Sequence, residues 1–354
     1  VKEREVALGP PGSRNGDVMQ RTFTHLTIGF MMCLTACGGR SASSEGAATP
    51  PPPPEPPPEH VPPPVEPDPV AKPEDVGVVI LAKVGFQTPE SVVHDPTQDV
   101  YFVSNINGSP TDKDDNGFIS KITPSGEITL KFIDGADAAV QLNAPKGLAV
   151  AGGVLYVTDI DRVRMFDAKT GTPRGDIVIP GATFVNDIAA GPDGSLYVTD
   201  SGFKPDFSAS GTDAVFKITS GALRKLTTEK DLGHPNGVLP DAGGTWIVTF
   251  GSGELYWVSD KGKRESAQKV GGQNDGVVRL KDGRVCVSSW ETSSVHCGSP
   301  GGSFIEVVTG VASPADIGYD EGRNRLLIPL FSKDEVILHD LPAQGEAGEA
   351  DSGT

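Results

Sequence analysis

"VNDIAAGPDGSLYVTD" (residues 185–200) strings together a polar pair, a short apolar run, a tight turn and a β-rich run. LYVTD alternates apolar with polar, and the GPDG before it is turn chemistry, so the stretch reads as two antiparallel strands. The same frame returns in "PKGLAVAGGVLYVTD" (145–159), "HPNGVLPDAGGTWIVTF" (234–250) and "QNDGVVRLKDGRVCVSSW" (273–290). Aligned on its second strand, the repeat sets Tyr101, Tyr156, Tyr197, Ile247, Cys286 and Leu327 at one position, at intervals of 55, 41, 50, 39 and 41 residues. Each long interval contains a long polar loop, "NINGSPTDKDDNG" (105–117) or "SGFKPDFSASG" (201–211).

Four strands fit each unit; in the third they are "DIAAG", "SLYVTD", "DAVFKITS" and "ALRKLTT". No stretch after residue 76 sustains a helical period. Units of this size with four strands are propeller blades, so the expected fold is all-β: a six-bladed β-propeller of four-stranded antiparallel blades. The sixth unit, "ADIGYDEGRNRLLIPLFSKDEVILHDL" (315–341), supplies only three strands, and "VGVVILAKV" (76–84) has no partner of its own. Pairing the two closes the ring and removes an open sheet edge.

About eleven residues before the aligned positions stand Glu90, Lys146, Asn186, Asn236, Asp275 and Ala315, each at the start of an innermost strand. In a propeller such positions converge on one mouth of the central channel. Two carboxylates and two amide carbonyls form an oxygen-only set that suits a hard divalent cation, Ca²⁺ before Mg²⁺. Thiolates and imidazoles, the signature of zinc, are absent from it. Turn chemistry alone accounts for one or two such residues; four of six at one register position favour a cation. Lys146 opposes it: at ~7 Å and an effective dielectric near 20, an ammonium repels a divalent ion by roughly 5 kcal/mol. Its side chain is expected to turn away toward Asp187 or Asp316; anchoring a substrate and replacing the metal are the other two outcomes.

"PESVVHDP" (89–96), "VNDIAAGPDGSLYVTD", "PNGV" (235–238) and "NDGVVRLKDGRV" (274–285) resemble the senescence-marker protein/gluconolactonase family of six-bladed propellers, over residues 76 to 341. The resemblance implies one divalent cation held by Glu90, Asn236 and Asp275, with Asn186 bordering both metal and substrate. "PKGLAVAGGVLYVTD" is also similar to the wider set of NHL repeats. Family members that act on gluconolactone often carry arginine two residues before the asparagine of the N-D pair; here Phe184 stands there.

The implied chemistry is hydrolysis of a lactone or ester at a cation-polarised carbonyl, with Asp275 as general base and Glu90 mainly a ligand. Asn186, Asp187 and Lys146 are candidate substrate contacts. GxSxG is absent, which points to direct attack by water. His234 reads as a structural turn cap before a proton shuttle. "DKDDNG" (112–117) imitates the opening of an EF-hand loop, but Thr123 stands at its twelfth position, so a polar turn is expected. The two long loops, with Trp290 and Phe331, are placed to roof and line the mouth.

The 354 residues carry a net charge of -17, and no basic cluster tracks a strand or helix, which excludes a nucleic-acid footprint. Residues 1–37 read as an upstream segment and a lipoprotein signal peptide: a basic start, an apolar run and "LTAC" ending at Cys37, the expected site of lipidation. Residues 38–75 read as a proline-rich tether, 76–341 as the propeller and 342–354 as an acidic disordered tail. The expected location is exported and lipid-anchored, at an outer membrane, with the membrane met through the anchor alone. Export exposes Cys286 and Cys297 to oxidising conditions. A hairpin centred on Glu291 and Thr292 sets them opposite each other, as a cross-strand disulfide or as two buried thiols. A monomer is expected. The sequence therefore supports a calcium-dependent lactonase or esterase, with a non-catalytic ligand- or protein-binding propeller as the alternative.

Overall fold

Twenty-four strands and no helix make up the regular structure of residues 77–342, the part of the chain that the computed structural model describes. Residues 1–76, which include the stretches read as a signal peptide and a tether and the expected lipidation site Cys37, and residues 343–354 lie outside the described residues. The strands form six four-stranded antiparallel sheets. Five run outward in chain order from the strands Pro89–Asp95, Pro145–Ala151, Val185–Ala190, Pro235–Asp241 and Asn274–Arg279. The sixth has Gly318–Asp320 innermost, then Arg325–Leu330, Glu335–Asp340 and, outermost, Val78–Leu81. In that last pairing Val78 faces His339 and Leu81 faces Val336.

The innermost strands adjoin one another around a central axis. Between the sixth and first blades a parallel bridge joins Ser91 to Asp316, whose N–H donates to Glu90 O at 2.8 Å. Apolar residues from adjacent blades fill the wedges between them. Phe102 and Ile119 of the first blade, for example, pack with Leu148 and Val157 of the second. The alternation in LYVTD thus serves two interfaces, one on each face of every sheet.

In every innermost strand the register slips by one residue at the same place. Pro89 faces Asn105, yet Val92 faces Val103. Equivalent slips lie between Pro145 and Leu148, Val185 and Ile188, Pro235 and Val238, and Asn274 and Val277. In the sixth blade Pro314 bridges Leu330 while Gly318 faces Leu327. A bulge of this kind sets two residues against one and re-aims a side chain. The first bulged residues are Glu90, Lys146, Asn186, Asn236, Asp275 and Ala315, the ring read from the sequence. The pairings correct the alignment of the second strands. Phe102 and Trp246, rather than Tyr101 and Ile247, are the counterparts of Tyr156, because the turns between first and second strands differ in length. Cys286 and Cys297 face each other on the second and third strands of the fifth blade and are joined by a disulfide, with 4.1 Å between their Cα atoms.

Candidate metal and substrate site

The residue after each ring position decides how tightly the blades close. It is Ser91, Gly147, Asp187, Gly237, Gly276 and Asp316 in turn. A Cβ on Gly147 would lie 2.5 Å from Asp187 Cα, one on Gly237 2.5 Å from Asp275 O, and one on Gly276 2.3 Å from Ile317 N. These glycines are close-approach sites between adjacent innermost strands, a role the turn-like look of "NG" and "DG" conceals. The threonine or serine of the second strand locks the bulge. Asp187 N donates to Thr199 Oγ1 at 3.0 Å, and that hydroxyl donates to Asn236 O of the next blade at 2.6 Å. Gly276 N and Ser288 Oγ repeat this with Ala315 O, at 2.8 and 2.7 Å. Thr158 reaches Asn186 O in the same way. The ring residues are therefore held through their backbones, which leaves their side chains free to point inward.

They point into one cavity of about 560 Å³, whose buried end is formed by Glu90, Lys146, Asn186, Asn236 and Asp275. None of the five is more than 5% exposed. Among the described residues seven buried side-chain polar atoms lack a hydrogen-bond partner, and four of them are Glu90 Oε2, Asn186 Oδ1, Asn236 Oδ1 and Asp275 Oδ1. Leaving one such group unpaired costs ~1–3 kcal/mol, so four in one place mark a site that is completed by a ligand. All four are acceptors. Asn186 shows how its oxygen is aimed. Ser201 Oγ donates to Pro235 O at 2.7 Å, so it must accept from Asn186 Nδ2 at 3.0 Å, and Oδ1 is turned to the cavity. Four oxygen acceptors and no soft donor fit a hard divalent cation.

Burial pushes the Glu90 carboxyl well above its ordinary range, and the Asp275 charge adds to this while Lys146 opposes it. Asp275 is pushed up to about 8, by burial first and then by Asp187. The Trp290 indole and the Asn236 amide beside it favour its ionised form, although Trp290 Nε1 makes no hydrogen bond of full geometry. Burial pulls Lys146 down to about 8, against the pull of Glu90 and Asp159.

Two expectations are corrected. Lys146 does not turn toward Asp187 or Asp316. Its Nζ donates to Ala144 O at 3.0 Å and lies 4.6 Å over the ring of Phe184. The bulge aims it inward, and the aromatic face helps to hold the ammonium there. Asp187 does not line the cavity and is not placed to touch a substrate. Its carboxylate accepts from Val238 N at 2.7 Å and Ile188 N at 2.6 Å, which ties the third blade to the fourth. Burial raises it to about 6. Asp316, raised well above its ordinary range by burial and then by Asp187, takes a 2.5 Å hydrogen bond from Ser91 Oγ. A second pair of acids thus stands behind the ring.

The cavity walls are largely aromatic. Phe184 meets Phe203 edge-on at 5.5 Å, and Phe203 stacks on His234 at 4.3 Å. His234 Nδ1 pairs with Ser201 O at 2.7 Å, a structural role. Phe250 and Phe331 flank Trp290 at 5.4 and 5.1 Å. Both long loops contribute, through Gly108 and Pro110 and through Phe203 and Phe207. Phe203, Phe207 and Phe250 were not singled out from the sequence. A signal existed for Phe250: like Trp290 and Phe331, it directly follows a second strand. The EF-hand-like stretch is a polar turn in which Asn116 Nδ2 bonds Asp114 at 2.6 Å and Asp115 N bonds Asn143 Oδ1 at 3.2 Å. Elsewhere among the described residues, His94, Asp99 and Asp320 cluster at metal-ligand spacing, but Arg323 already pairs with both carboxylates, at 2.7 and 2.8 Å.

No protein-family model matches the chain, and no curated protein does so significantly. Solved structures do match. A gluconolactonase from Xanthomonas campestris aligns at TM-score 0.57 and 18% identity, over 77% of this chain and 92% of its own. A streptogramin B lyase aligns at 0.54 and 12%, over 75% and 98%. A luciferin-regenerating enzyme aligns at 0.56 and 13%, over 75% and 96%. At such identities the likeness is one of fold, and neighbours with different activities leave function to be argued from the site. What these neighbours share with the chain is the six-bladed propeller.

Proposed function

We propose that the propeller is a divalent-cation-dependent hydrolase of lactones or esters, gluconolactonase-like in its cation site. The observation that carries this reading is the set of four orphaned oxygens, from four separate blades, at the buried end of one cavity. Glu90, Asn186, Asn236 and Asp275 would hold the ion, Ca²⁺ before Mg²⁺, which when bound supplies Lewis-acid polarisation of a carbonyl. Asp275 takes a proton from water as the water oxygen bonds to the carbonyl carbon. It returns that proton to the alkoxide released when the C–O bond breaks. Lys146 orients the substrate from the neighbouring ring position. Both described cysteines are joined in the disulfide. Among the described residues no serine lines the cavity and its one threonine, Thr88, has no base hydrogen-bonded to its hydroxyl, which supports direct hydrolysis without an acyl-enzyme. The lipid anchor at Cys37 and an envelope location belong to the same proposal and rest on the "LTAC" motif.

A calorimetric calcium titration run beside a lactone panel tests this. One Ca²⁺ per chain should bind and raise the melting temperature. Asp275→Asn should cut hydrolysis by at least about a hundredfold with the circular dichroism of the fold retained. Turnover that survives complete chelation refutes the mechanism. Lys146 and Phe184 favour a second reading, a non-catalytic ligand- or protein-binding propeller in which the ammonium neutralises Glu90. Calcium binding with no turnover, or no calcium binding at all, selects it.

A further inference from the structure

We infer that the site takes an ester or lactone bearing a flat aromatic group, in preference to a polyhydroxylated lactone. The inference rests on the hydrolase reading for the bond that reacts, and on the cavity walls alone for the aromatic group.

Six aromatic residues line the cavity, in two groups: Phe184, Phe203 and Phe207, and Phe250, Trp290 and Phe331. At about 560 Å³ the space suits a small ligand of one or two rings. Glu90, Lys146, Asn186, Asn236 and Asp275 are gathered at the buried end, where the ring oxygens face the cation they are proposed to hold. Beyond them the polar side chains of the lining are Thr88, His234, whose Nδ1 is paired with Ser201 O, and Gln273. A sugar lactone would carry several hydroxyls up between the two aromatic groups, where they lose water and too few polar groups stand to replace it. A flat apolar ring placed there meets aromatic faces and edges.

Phe207 points the same way independently. It sits at φ 58°, a left-handed conformation that disfavours bulky side chains, in a turn closed by its own N–H to Lys204 O at 2.8 Å. Glycine or asparagine would suit the turn better. The phenylalanine is kept although 56% of it is exposed, with its ring 6.3 Å from Phe184 and 6.2 Å from Phe203. A large apolar side chain held in a strained, open position at the rim of an aromatic cavity is explained by a ligand that covers it.

The test compares dihydrocoumarin with glucono-δ-lactone on the calcium-loaded full chain. It also titrates the unreactive lactam 3,4-dihydroquinolin-2-one by calorimetry. Dihydrocoumarin should exceed glucono-δ-lactone by about a hundredfold in kcat/KM. Phe207→Ala, exposed enough to be replaced without disturbing the core, should raise KM for dihydrocoumarin about tenfold with little change in kcat. Equal or better hydrolysis of glucono-δ-lactone overturns the inference and leaves the hydrolase reading standing. If neither lactone is hydrolysed, the hydrolase reading falls and the lactam decides. Binding that Phe207→Ala weakens about tenfold upholds an aromatic ligand, and no binding ends the inference.

Discussion

Gly276 and Lys146 sit in the same kind of bulge, and their substitution separates what builds the ring from what the ring does. A methyl group on Gly276 would meet Ile317 N at 2.3 Å, a backbone atom that cannot rotate aside. Gly276→Ala should therefore cost about 1–3 kcal/mol in urea unfolding, the usual penalty of overpacking. Gly322→Ala, whose Cβ would find nothing nearer than 3.4 Å, should cost a few tenths. Lys146→Met keeps the side-chain volume and removes the charge. If the ring holds a cation, the substitution should tighten calcium binding at least about tenfold, as loss of a like charge in a low-dielectric site requires. If the ammonium stands in for the ion, Lys146→Met should instead lower stability, because Glu90 and Asp275 lose their neutralising partner. One calcium titration and one melting curve distinguish the two.

At the scale of the strand, the repeated bulge is what the sequence half reveals. Its position was legible, because Glu90, Asn186, Asn236 and Asp275 recur at one distance from a recognisable second strand. Its direction was not. A one-residue slip changes where a side chain points without any mark in the residue types, so the residues alone turn Lys146 toward Asp187 or Asp316 before they make it a substrate anchor, and set Asp187 within the site. "NG" and "DG" look like turns, yet Gly237 and Gly276 lie inside strands and make room for the next blade. The aromatic walls come from loops and strand ends, where no alternation guides the eye. The fold was more legible than the site, since blade count and strand order follow from periodicity and packing follows from alternation. The fifth blade carries its own staple. Replacing Cys286 and Cys297 together by serine opens a short loop and should cost about 2–3 kcal/mol by chemical denaturation. An unchanged midpoint would mean that the pair adds nothing in solution.

Around the whole ring, acids from several blades are buried together, and this fixes how stability depends on pH. Glu90, Asp187, Asp275 and Asp316 all have folded values raised above the unfolded carboxylate range, to about 6 for Asp187 and about 8 for Asp275. Groups shifted upward contribute their stability below pH ~4 and lose it as pH rises through the folded values. Lys146, pulled down to about 8, works in the opposite direction only above that value. In chelator the melting temperature should therefore fall between pH 5 and pH 8, and saturating calcium should flatten or reverse the trend by favouring the ionised carboxylates. A melting temperature that climbs over this window in chelator would show the acids to be ionised already. The seam of the ring has a mechanical side as well. Val78–Leu81 runs antiparallel to Glu335–Asp340, with Val78 across from His339, so the two strands enter and leave at the same end of their pairing. Tension applied between those ends pulls on one rung at a time, as a zipper opens, instead of loading every rung at once. A stretched chain would yield first at this seam, at low force, with the other five sheets still folded.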